Sequence, residues 1–366
     1  MSNDLSKLFS EFDSGALSRR KLLQVLGVAA LVQPASAFAQ GQCGGALKGT
    51  PQCDPTPAKA PFAPTGWKTV MLDHLTCQAA DYSKEAAYYA ALMNWPIRSD
   101  DGKQAMLDIG DWGGLQIIGG YQAPPALPPP PAAAPPAGAP GRGGPRPPRN
   151  AVFTSVCWGI DKWDAKKVET ELKARGLSPV ADNHGDFQSF HVKDPAGFGL
   201  QVSNGNAKNR RKGPAAGKTA APAPFASTAW KTVWLDHISY EVPNYKDTVA
   251  FYVALLGWTA GEDEGSQSQC EIGDVGDIII RRGGGGPPGA APAAPRPASI
   301  GHISFGISSF DPDLVKAELT KRGLNAREDT GGAGDIHTAN YKSYHTTTPN
   351  GCDLQISNVT KANRGA

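Results

Sequence analysis

Histidines on alternating apolar segments are the residues of this sequence with the clearest potential for chemistry. The segment WLDHISYEV at 234–242 carries His237 in its middle, and the similar segment MLDHLTCQA at 71–79 carries His74. A third histidine, His302, lies in the segment IGHISFGI. Imidazole is a common ligand of divalent metals, but it also occurs as a hydrogen-bonded group inside protein cores. Taken one at a time, these segments leave both interpretations open.

An internal repeat organises the sequence around these histidines. The segment WKTVMLDHLTCQAADYSKEAAYYAALMNW at 67–95 matches WKTVWLDHISYEVPNYKDTVAFYVALLGW at 230–258 without a gap. Two further pairs of blocks also match, at 156–177 and 303–324 and at 189–204 and 343–358. The chain therefore contains two copies of one unit of roughly 130 residues, which is the size of a domain.

Apolar residues follow strand and helix periods in the same order within each copy. From Val233 to Ser239 they alternate, which is typical of a strand. The next apolar residues recur at helical spacing up to Gly257, where glycine predicts the end of a helix. Short apolar strands follow, and the pattern then begins again at the segment that holds His302. Each copy is therefore expected to contain two modules of one strand, one helix and three strands.

Composition shifts predict the domain boundaries. Proline and glycine at high density cannot bury a core, so two such stretches are interpreted as inserts that join the halves of each copy. The predicted organisation is an export signal at 1–39, a flexible segment at 40–65, domain 1 at 66–205 with an insert at 122–149, a linker at 206–228, domain 2 at 229–358 with an insert at 283–298, and a tail at 359–366.

The N-terminal segment is typical of a targeting signal. Arg19 and Arg20 precede a short apolar run at 22–32 and small residues at 37–39 that suit cleavage. This pattern predicts a twin-arginine signal, the Tat export machinery as a partner, and a periplasmic or secreted mature protein. An ordinary secretory signal or a chance amphipathic helix is the alternative. No membrane span is expected in the mature chain, and the net charge of +2 gives no indication of nucleic-acid binding.

The six cysteines do not indicate a structural zinc site, because the sequence has no CxxC pair. In an oxidising compartment, Cys43 and Cys53 are able to form a disulfide, and the alternative is two free thiols. The other four are expected to be small core residues; they are Cys77, Cys157, Cys270 and Cys352.

The order of modules, the histidine in the first strand and the closing segments DPAGFGLQ and TPNGCDLQ resemble the vicinal oxygen chelate superfamily. This is the group of glyoxalases, bleomycin-resistance proteins and extradiol dioxygenases. The resemblance covers roughly 66–205 and 229–358. It implies an α+β protein of two tandem domains, each with two βαβββ modules that curve into a cup around one metal. Pairing of the two domains within the chain is also consistent with this resemblance.

In that superfamily the metal ligands come from the first and last strand of each module. The matching positions are His237, Ile279, His302 and Gln355 in the second copy, and His74, Gln116, Ser155 and Gln201 in the first. A catalytic divalent ion needs at least three protein ligands and one open position. The resemblance therefore implies a site in domain 2, with Fe2+, Mn2+ or Zn2+ held by His237, His302 and Gln355, and a degenerate domain 1 in which His74 is a core residue. Gln355 departs from the family, which has glutamate there, and Ile279 removes the fourth ligand of the glyoxalases.

Three further residues of domain 2 are candidates for catalysis. His345 lies ten residues before Gln355, where similar dioxygenases often carry a tyrosine that touches substrate. His337 lies in a glycine-rich loop and is able to act as an acid or base at the mouth of the cup. Tyr344, together with Tyr341, is a candidate for the pocket wall.

Three classes of function remain open from the sequence. The first is an exported metalloenzyme, dioxygenase-like or glyoxalase- or lyase-like, acting on a small oxygenated or aromatic molecule. The second is a metal-free protein that sequesters a small molecule, as in the bleomycin-resistance branch. The third is a structural duplication without a ligand.

Overall fold

The computed structural model describes residues 58–124, 149–213, 221–283, 297–332 and 334–364. These residues form two eight-stranded mixed sheets and four α-helices. The elements of the first half are β1 (Thr69–Ala79), α1 (Tyr82–Leu92), β2 (Ile97–Asp100), β3 (Gln104–Ile109), β4 (Gly113–Ile118), β5 (Ala151–Ile160), α2 (Ala165–Ala174), β6 (Val180–Ala181), β7 (Ser189–Lys193) and β8 (Gly199–Ser203). Those of the second half are β9 (Thr232–Val242), α3 (Tyr245–Leu256), β10 (Thr259–Asp263), β11 (Gln267–Ile272), β12 (Gly276–Arg282), β13 (Ser299–Ile307), α4 (Pro312–Lys321), β14 (Arg327–Asp329), β15 (Ser343–Thr347) and β16 (Asp353–Ser357).

Each sheet consists of two βαβββ modules whose first strands meet at its centre. The strand order is β2-β3-β4-β1-β5-β8-β7-β6 in the first sheet and β10-β11-β12-β9-β13-β16-β15-β14 in the second. The central strands β9 and β13 are antiparallel, and each lies parallel to the last strand of its own module, β12 or β16. The predicted α+β fold with two modules per copy is confirmed. Because these four strands are adjacent, side chains on their shared face lie close together.

Side-chain caps determine where the helices begin. The residue before each helix accepts a hydrogen bond from a backbone N–H three residues later; these caps are Asp81, Asp164, Asn244 and Asp311. Helix α3 ends at Gly257, as predicted, with a left-handed φ of 68°. A Cβ at Gly257 would lie 2.2 Å from the carbonyl oxygen of Trp67, so glycine also allows a close approach between the two halves.

Matching tryptophans exchange hydrogen bonds between the two halves. Trp95 Nε1 donates to Thr232 Oγ1 at 2.8 Å, and Trp258 Nε1 donates to Thr69 Oγ1 at 2.9 Å. Each indole also stacks on a tyrosine of its own half, with ring centroids 5.3 and 4.5 Å apart. These tryptophans therefore combine core packing with polar contacts across the two copies.

Several predictions concern residues that the structure does not describe. The export signal at 1–39, Cys43 and Cys53, and most of the two inserts lie outside the described residues. The other four cysteines are buried free thiols, as the sequence predicts. None of the described helices is long and apolar enough to cross a membrane.

Candidate metal centre

Strands β9 and β13 bring two histidines together at the centre of the second sheet. His237 pairs with Ser304 and His302 pairs with Ser239, so both imidazoles lie on one face. Their Nε2 atoms are 2.9 Å apart, and the rings are inclined at 77°. Two nitrogens bound at right angles to a metal ion at about 2.1 Å would be about 3 Å apart. The spacing therefore fits two imidazoles on one ion.

A bulge in β9 places a carboxylate behind His237. The register between β9 and β13 shifts at Asp236, which has no residue opposite it. Its Oδ1 lies 3.2 Å from Nδ1 of His237. Burial alone would raise the pKa of Asp236, but the charge of His237 and the hydrogen bond to it hold that pKa below its usual value. The carboxylate therefore favours the tautomer with the proton on Nδ1, which leaves the Nε2 lone pair for a ligand.

Gln355 supplies an amide on β16, next to the histidine strands. The residue is buried, and its Nε2 donates to Ser343 Oγ at 2.7 Å, to Tyr341 OH at 2.9 Å and to Asp329 Oδ2 at 3.3 Å. Its Oε1 is buried and has no hydrogen-bond partner among the described residues. A buried acceptor without a partner is costly, so this oxygen is suited to a ligand.

His345 is held between two carboxylates beside His302. Its Nδ1 lies 3.0 Å from Asp353 Oδ1 and its Nε2 lies 3.1 Å from Asp329 Oδ2. Burial would lower the pKa of His345, but these two hydrogen bonds raise it above the ordinary value. The pKa of Asp329 falls to about 2, chiefly because of its hydrogen bond with His345. The group therefore favours an imidazolium, whose ring centroid lies 4.9 Å from that of His302.

A cavity of about 430 Å³ lies beside the histidine pair. Its wall includes the three predicted ligands His237, His302 and Gln355, and Tyr341 also lines it. Ile279, at the fourth position that the resemblance implied, is an apolar part of the same wall. The volume lies in the range of small-molecule sites.

Two of the predicted catalytic residues lie elsewhere. Tyr344 is fully buried and faces the side of β15 opposite to His345, where its ring stacks on Phe310 with centroids 6.5 Å apart. His337 is about half exposed, and its Nε2 lies 3.9 Å from Asp313. Neither residue lines the cavity, and neither does His345, the third predicted catalytic residue. Because successive strand residues point to opposite faces, Tyr344 and His345 are unable to face the same pocket.

Three carboxylates of the site were not singled out from the sequence. Asp236 had a visible signal, since the tripeptide LDH occurs in both copies. Asp353 and Asp329 had a weaker one, because the loop between β14 and β15 differs in length from its counterpart in the first half. His302, His345 and Asp353 also form a group whose potential ligand atoms lie within 4.8 Å of one another. In that group both nitrogens of His345 already face carboxylates, so the His237–His302 pair is better placed to hold an ion.

The first domain repeats the scaffold but fills its cup differently. His74 Nδ1 lies 2.6 Å from Asp73 Oδ1, and burial lowers the pKa of this histidine. Gln201 Nε2 donates to Ser189 Oγ at 2.7 Å and to Asp182 Oδ2 at 3.1 Å, while its Oε1 is buried without a described partner. The position of His302, however, is occupied by Ser155. At the two histidine-ligand positions, the first cup therefore has one histidine where the second has two.

An arginine from the segment that links the domains enters the first cup. The backbone N–H of Arg211 donates to Asp73 Oδ2 at 3.1 Å, and its guanidinium pairs with Asp182. Burial would raise the pKa of Asp182, but hydrogen bonds from His191 and Arg211 hold it well below its usual value. Asp73 and Asp182 correspond to Asp236 and Asp329. Arg211 therefore links the two acids of domain 1, Asp73 through its backbone N–H and Asp182 through its charge, whereas the corresponding acids of domain 2 contact histidines and Tyr341.

Comparison with solved structures supports the fold, whereas comparisons of the sequence found no match. No protein-family model matches the sequence, and no curated protein matches it significantly. Among solved structures, the chain is similar to the Mn(II)-bound glyoxalase from Novosphingobium aromaticivorans, at 15% identity and a TM-score of 0.52, over 80% of this chain and 82% of that one. It is also similar to the 2,3-dioxygenase LapB from Pseudomonas sp. KL28, at 13% identity and a TM-score of 0.52, over 79% and 92%.

A third similar structure is that of a mutant of homoprotocatechuate 2,3-dioxygenase from Brevibacterium fuscum. It has 15% identity and a TM-score of 0.51, over 83% of this chain and 74% of that one. At such identities the similarity establishes the fold alone. The chain therefore shares the fold of these glyoxalase and dioxygenase structures, which is the fold that the sequence resemblance implied.

Proposed function

We propose that domain 2 is the active domain of a metal-dependent enzyme that acts on a small oxygenated or aromatic molecule by dioxygenase-like or glyoxalase- or lyase-like chemistry. The observation that carries the proposal is the 2.9 Å separation of the Nε2 atoms of His237 and His302 at the wall of a cavity. Two imidazoles on adjacent strands are typical donors for Fe2+, Mn2+ or Zn2+. The identity of the metal stays open within that set.

The third protein ligand in this proposal is Oε1 of Gln355. The oxygen is buried without a described partner, while three acceptors hold the other end of the amide in place. Two imidazoles and one amide are neutral donors, so the ion would keep its full charge. Such an ion, when bound, would polarise vicinal oxygens of a substrate. A neutral ligand set favours a substrate that arrives with negative charge.

The surrounding residues have roles that do not depend on which reaction occurs. Asp236 keeps the proton of His237 on Nδ1, at 3.2 Å from its own carboxylate. His345 holds a proton beside His302, between Asp329 and Asp353. Tyr341 OH donates to Asp236 Oδ2 at 3.0 Å and so closes the cavity next to the ligands. His345 contacts His302 without lining the cavity, so its role in this proposal is to position that ligand rather than to touch substrate.

Metal content tests this proposal. Protein loaded with Mn(II) or Fe(II) under anaerobic conditions and then desalted should retain about one ion per chain by plasma mass spectrometry. His237→Ala and His302→Ala should each abolish retention, whereas the matched variant His74→Ala in domain 1 should retain the ion. Metal-free wild-type protein after this treatment, or full retention in His302→Ala, would overturn the assignment.

A second function, metal-free binding of a small molecule, is favoured by one observation. Gln201 in domain 1 repeats the serine and aspartate contacts of Gln355 and also has an unpartnered Oε1 among the described residues, although its cup has one histidine at the two ligand positions. The contacts of the amide therefore occur without a second histidine, which fits a structural role for the glutamine in both domains. Retention of a small ligand by chelator-treated protein, together with failure to take up any divalent ion, would favour this sequestering function.

We also propose export through the twin-arginine pathway, with a periplasmic or secreted mature protein. The support is the sequence pattern of Arg19 and Arg20, the apolar run at 22–32 and the small residues at 37–39. Cell fractionation should find the shortened mature chain outside the cytoplasm. The double variant Arg19→Lys, Arg20→Lys should accumulate inside as the longer precursor, and unchanged export of this variant would rule out the pathway.

A further inference from the structure

Arg281 is a cation at the cavity wall without a partner among the described residues. It lies on β12, and burial lowers the pKa of its guanidinium. None of the described residues accepts a hydrogen bond from Arg281 or forms an ion pair with it, and its Nε is buried without a partner. A buried Nε–H without an acceptor is costly unless a ligand supplies one, and Arg281 as a whole is partly buried.

Four of the five acidic residues near Arg281 are engaged with other groups. Asp329 and Asp236 face histidines, and Asp277 pairs with Arg364. Glu264 accepts a hydrogen bond from Gln267 at 2.7 Å. Glu241, the cross-strand neighbour of Arg281, acts on it through its charge, but the two side chains form no ion pair. The guanidinium is therefore available at the cavity wall.

The first domain has an apolar residue at the same place. Ile118 on β4 pairs with Gln78 of β1 and with Gln104 of β3, just as Arg281 on β12 pairs with Glu241 of β9 and Gln267 of β11. The strand positions are equivalent, so the arginine is not a requirement of the scaffold. The cup that has two histidines is also the cup that has this arginine.

The arginine and the histidines lie at different levels of the same cup. Because β9 and β12 are parallel and Arg281 pairs with Glu241, its backbone lies four residues along the strand from the level of His237, or about 13 Å. An arginine side chain reaches roughly half of that distance back along the wall. The remaining gap suits a molecule of the size of one substituted ring or a short acid.

We propose that the cavity of domain 2 takes a small organic acid, whose carboxylate binds Arg281 while oxygens at its other end face His237 and His302. A planar guanidinium pairs with carboxylate through two parallel hydrogen bonds, which gives both affinity and orientation. The anion also balances the charge of an ion held by neutral ligands. This inference rests on the proposed function and names the substrate class of that same site.

Two probes that differ only in charge test the inference. Calorimetry on the Mn(II)-loaded full chain should show that 3,4-dihydroxybenzoate binds about 10- to 100-fold more tightly than 3,4-dihydroxybenzamide, as expected for a charged hydrogen-bonded pair. Arg281→Ile, which installs the residue of domain 1, should bind both probes equally, and Arg281→Lys should keep part of the preference. The exposed neighbour provides the matched control Arg282→Ile, which should behave as wild type.

The outcomes separate this inference from the proposed function. Equal binding of the two probes by wild type, or a preference that survives in folded Arg281→Ile, overturns the carboxylate site even if the protein holds metal. The same titrations with chelator-treated protein test Arg281 without the ion. A preference for the acid that persists there and is lost in Arg281→Ile supports the site even if no metal is ever retained. Circular dichroism and the melting temperature identify any variant that fails to fold.

Discussion

The two cups of this chain share a scaffold and differ at a few inner positions. Both have a bulged aspartate behind a histidine, and both hold a glutamine through a serine and an aspartate. They differ at Ser155 and His302, and at Ile118 and Arg281. Domain 1 alone is occupied by Arg211. The shared groups therefore belong to the common scaffold. The differing residues distinguish the first cup, which contains Arg211, from the second cup, in which His302 and Arg281 line a cavity.

Removal of the internal cation should have the largest effect on stability. Arg211→Met removes the guanidinium that pairs with Asp182, while Asp73 keeps its hydrogen bond from the backbone N–H, so the chain should lose about 2 kcal/mol, as for a hydrogen bond to a charged group. Urea unfolding measures this loss. The exposed neighbour variant Lys212→Met should cost less than about 0.5 kcal/mol. Equal stability of the two variants would mean that Arg211 does not hold the first cup together.

The aspartate behind each histidine should matter for metal in one domain only. Asp236→Asn removes the acceptor that fixes the His237 tautomer, so Mn(II) affinity should fall about 10- to 100-fold. Asp73→Asn makes the same change in domain 1 and should leave Mn(II) affinity unaltered. Titration of each metal-free variant with Mn(II) measures both affinities. A similar loss in both variants would show that the cups do not differ in the way proposed.

Substitution of the amide separates its role in the scaffold from its role as a ligand. Gln355→Glu removes donors to Ser343 and Tyr341 and places an anion beside Asp329, so the metal-free chain should lose about 1–2 kcal/mol. The new carboxylate should nevertheless tighten Mn(II) binding about tenfold. Gln201→Glu should show the loss of stability alone. If Gln355→Glu also fails to change Mn(II) affinity, its Oε1 is not a ligand.

Acid should weaken the second cup through Asp329. Its pKa is about 2 when folded and roughly 3.9 in an unfolded chain, so its stabilisation is complete above pH 4 and is lost as the pH falls towards 2. Since the side chain is 40% exposed, screening limits the effect to about 1 kcal/mol. Urea unfolding at pH 5 and pH 2.5 measures it against Asp329→Asn, whose pH dependence should be smaller. If Asp329→Asn lost as much stability between the two pH values as wild type does, Asp329 would be excluded as the source of the acid sensitivity.

The sequence predicted the fold because the repeat made each pattern visible twice. The helix end at Gly257 and the two modules per copy followed from local periodicity, and the structure confirms them. The contacts around the histidines were harder to predict, because they depend on registers between strands that are distant in sequence. Arg211 shows this most clearly, since nothing local predicts that a residue of a polar linker turns back into a cup. Tyr344 shows the converse: a single step along β15 moves a side chain from the face that holds His345 and its two carboxylates to the core.

The most direct test of the difference between the cups is calorimetric titration of the metal-free chain with Mn(II). Wild type should bind one ion per chain, and so should His74→Ala. His302→Ser, which gives the second cup the residue found in the first, should bind none. Two ions per chain in wild type, or one ion retained in folded His302→Ser, would contradict the assignment of a single metal centre to domain 2.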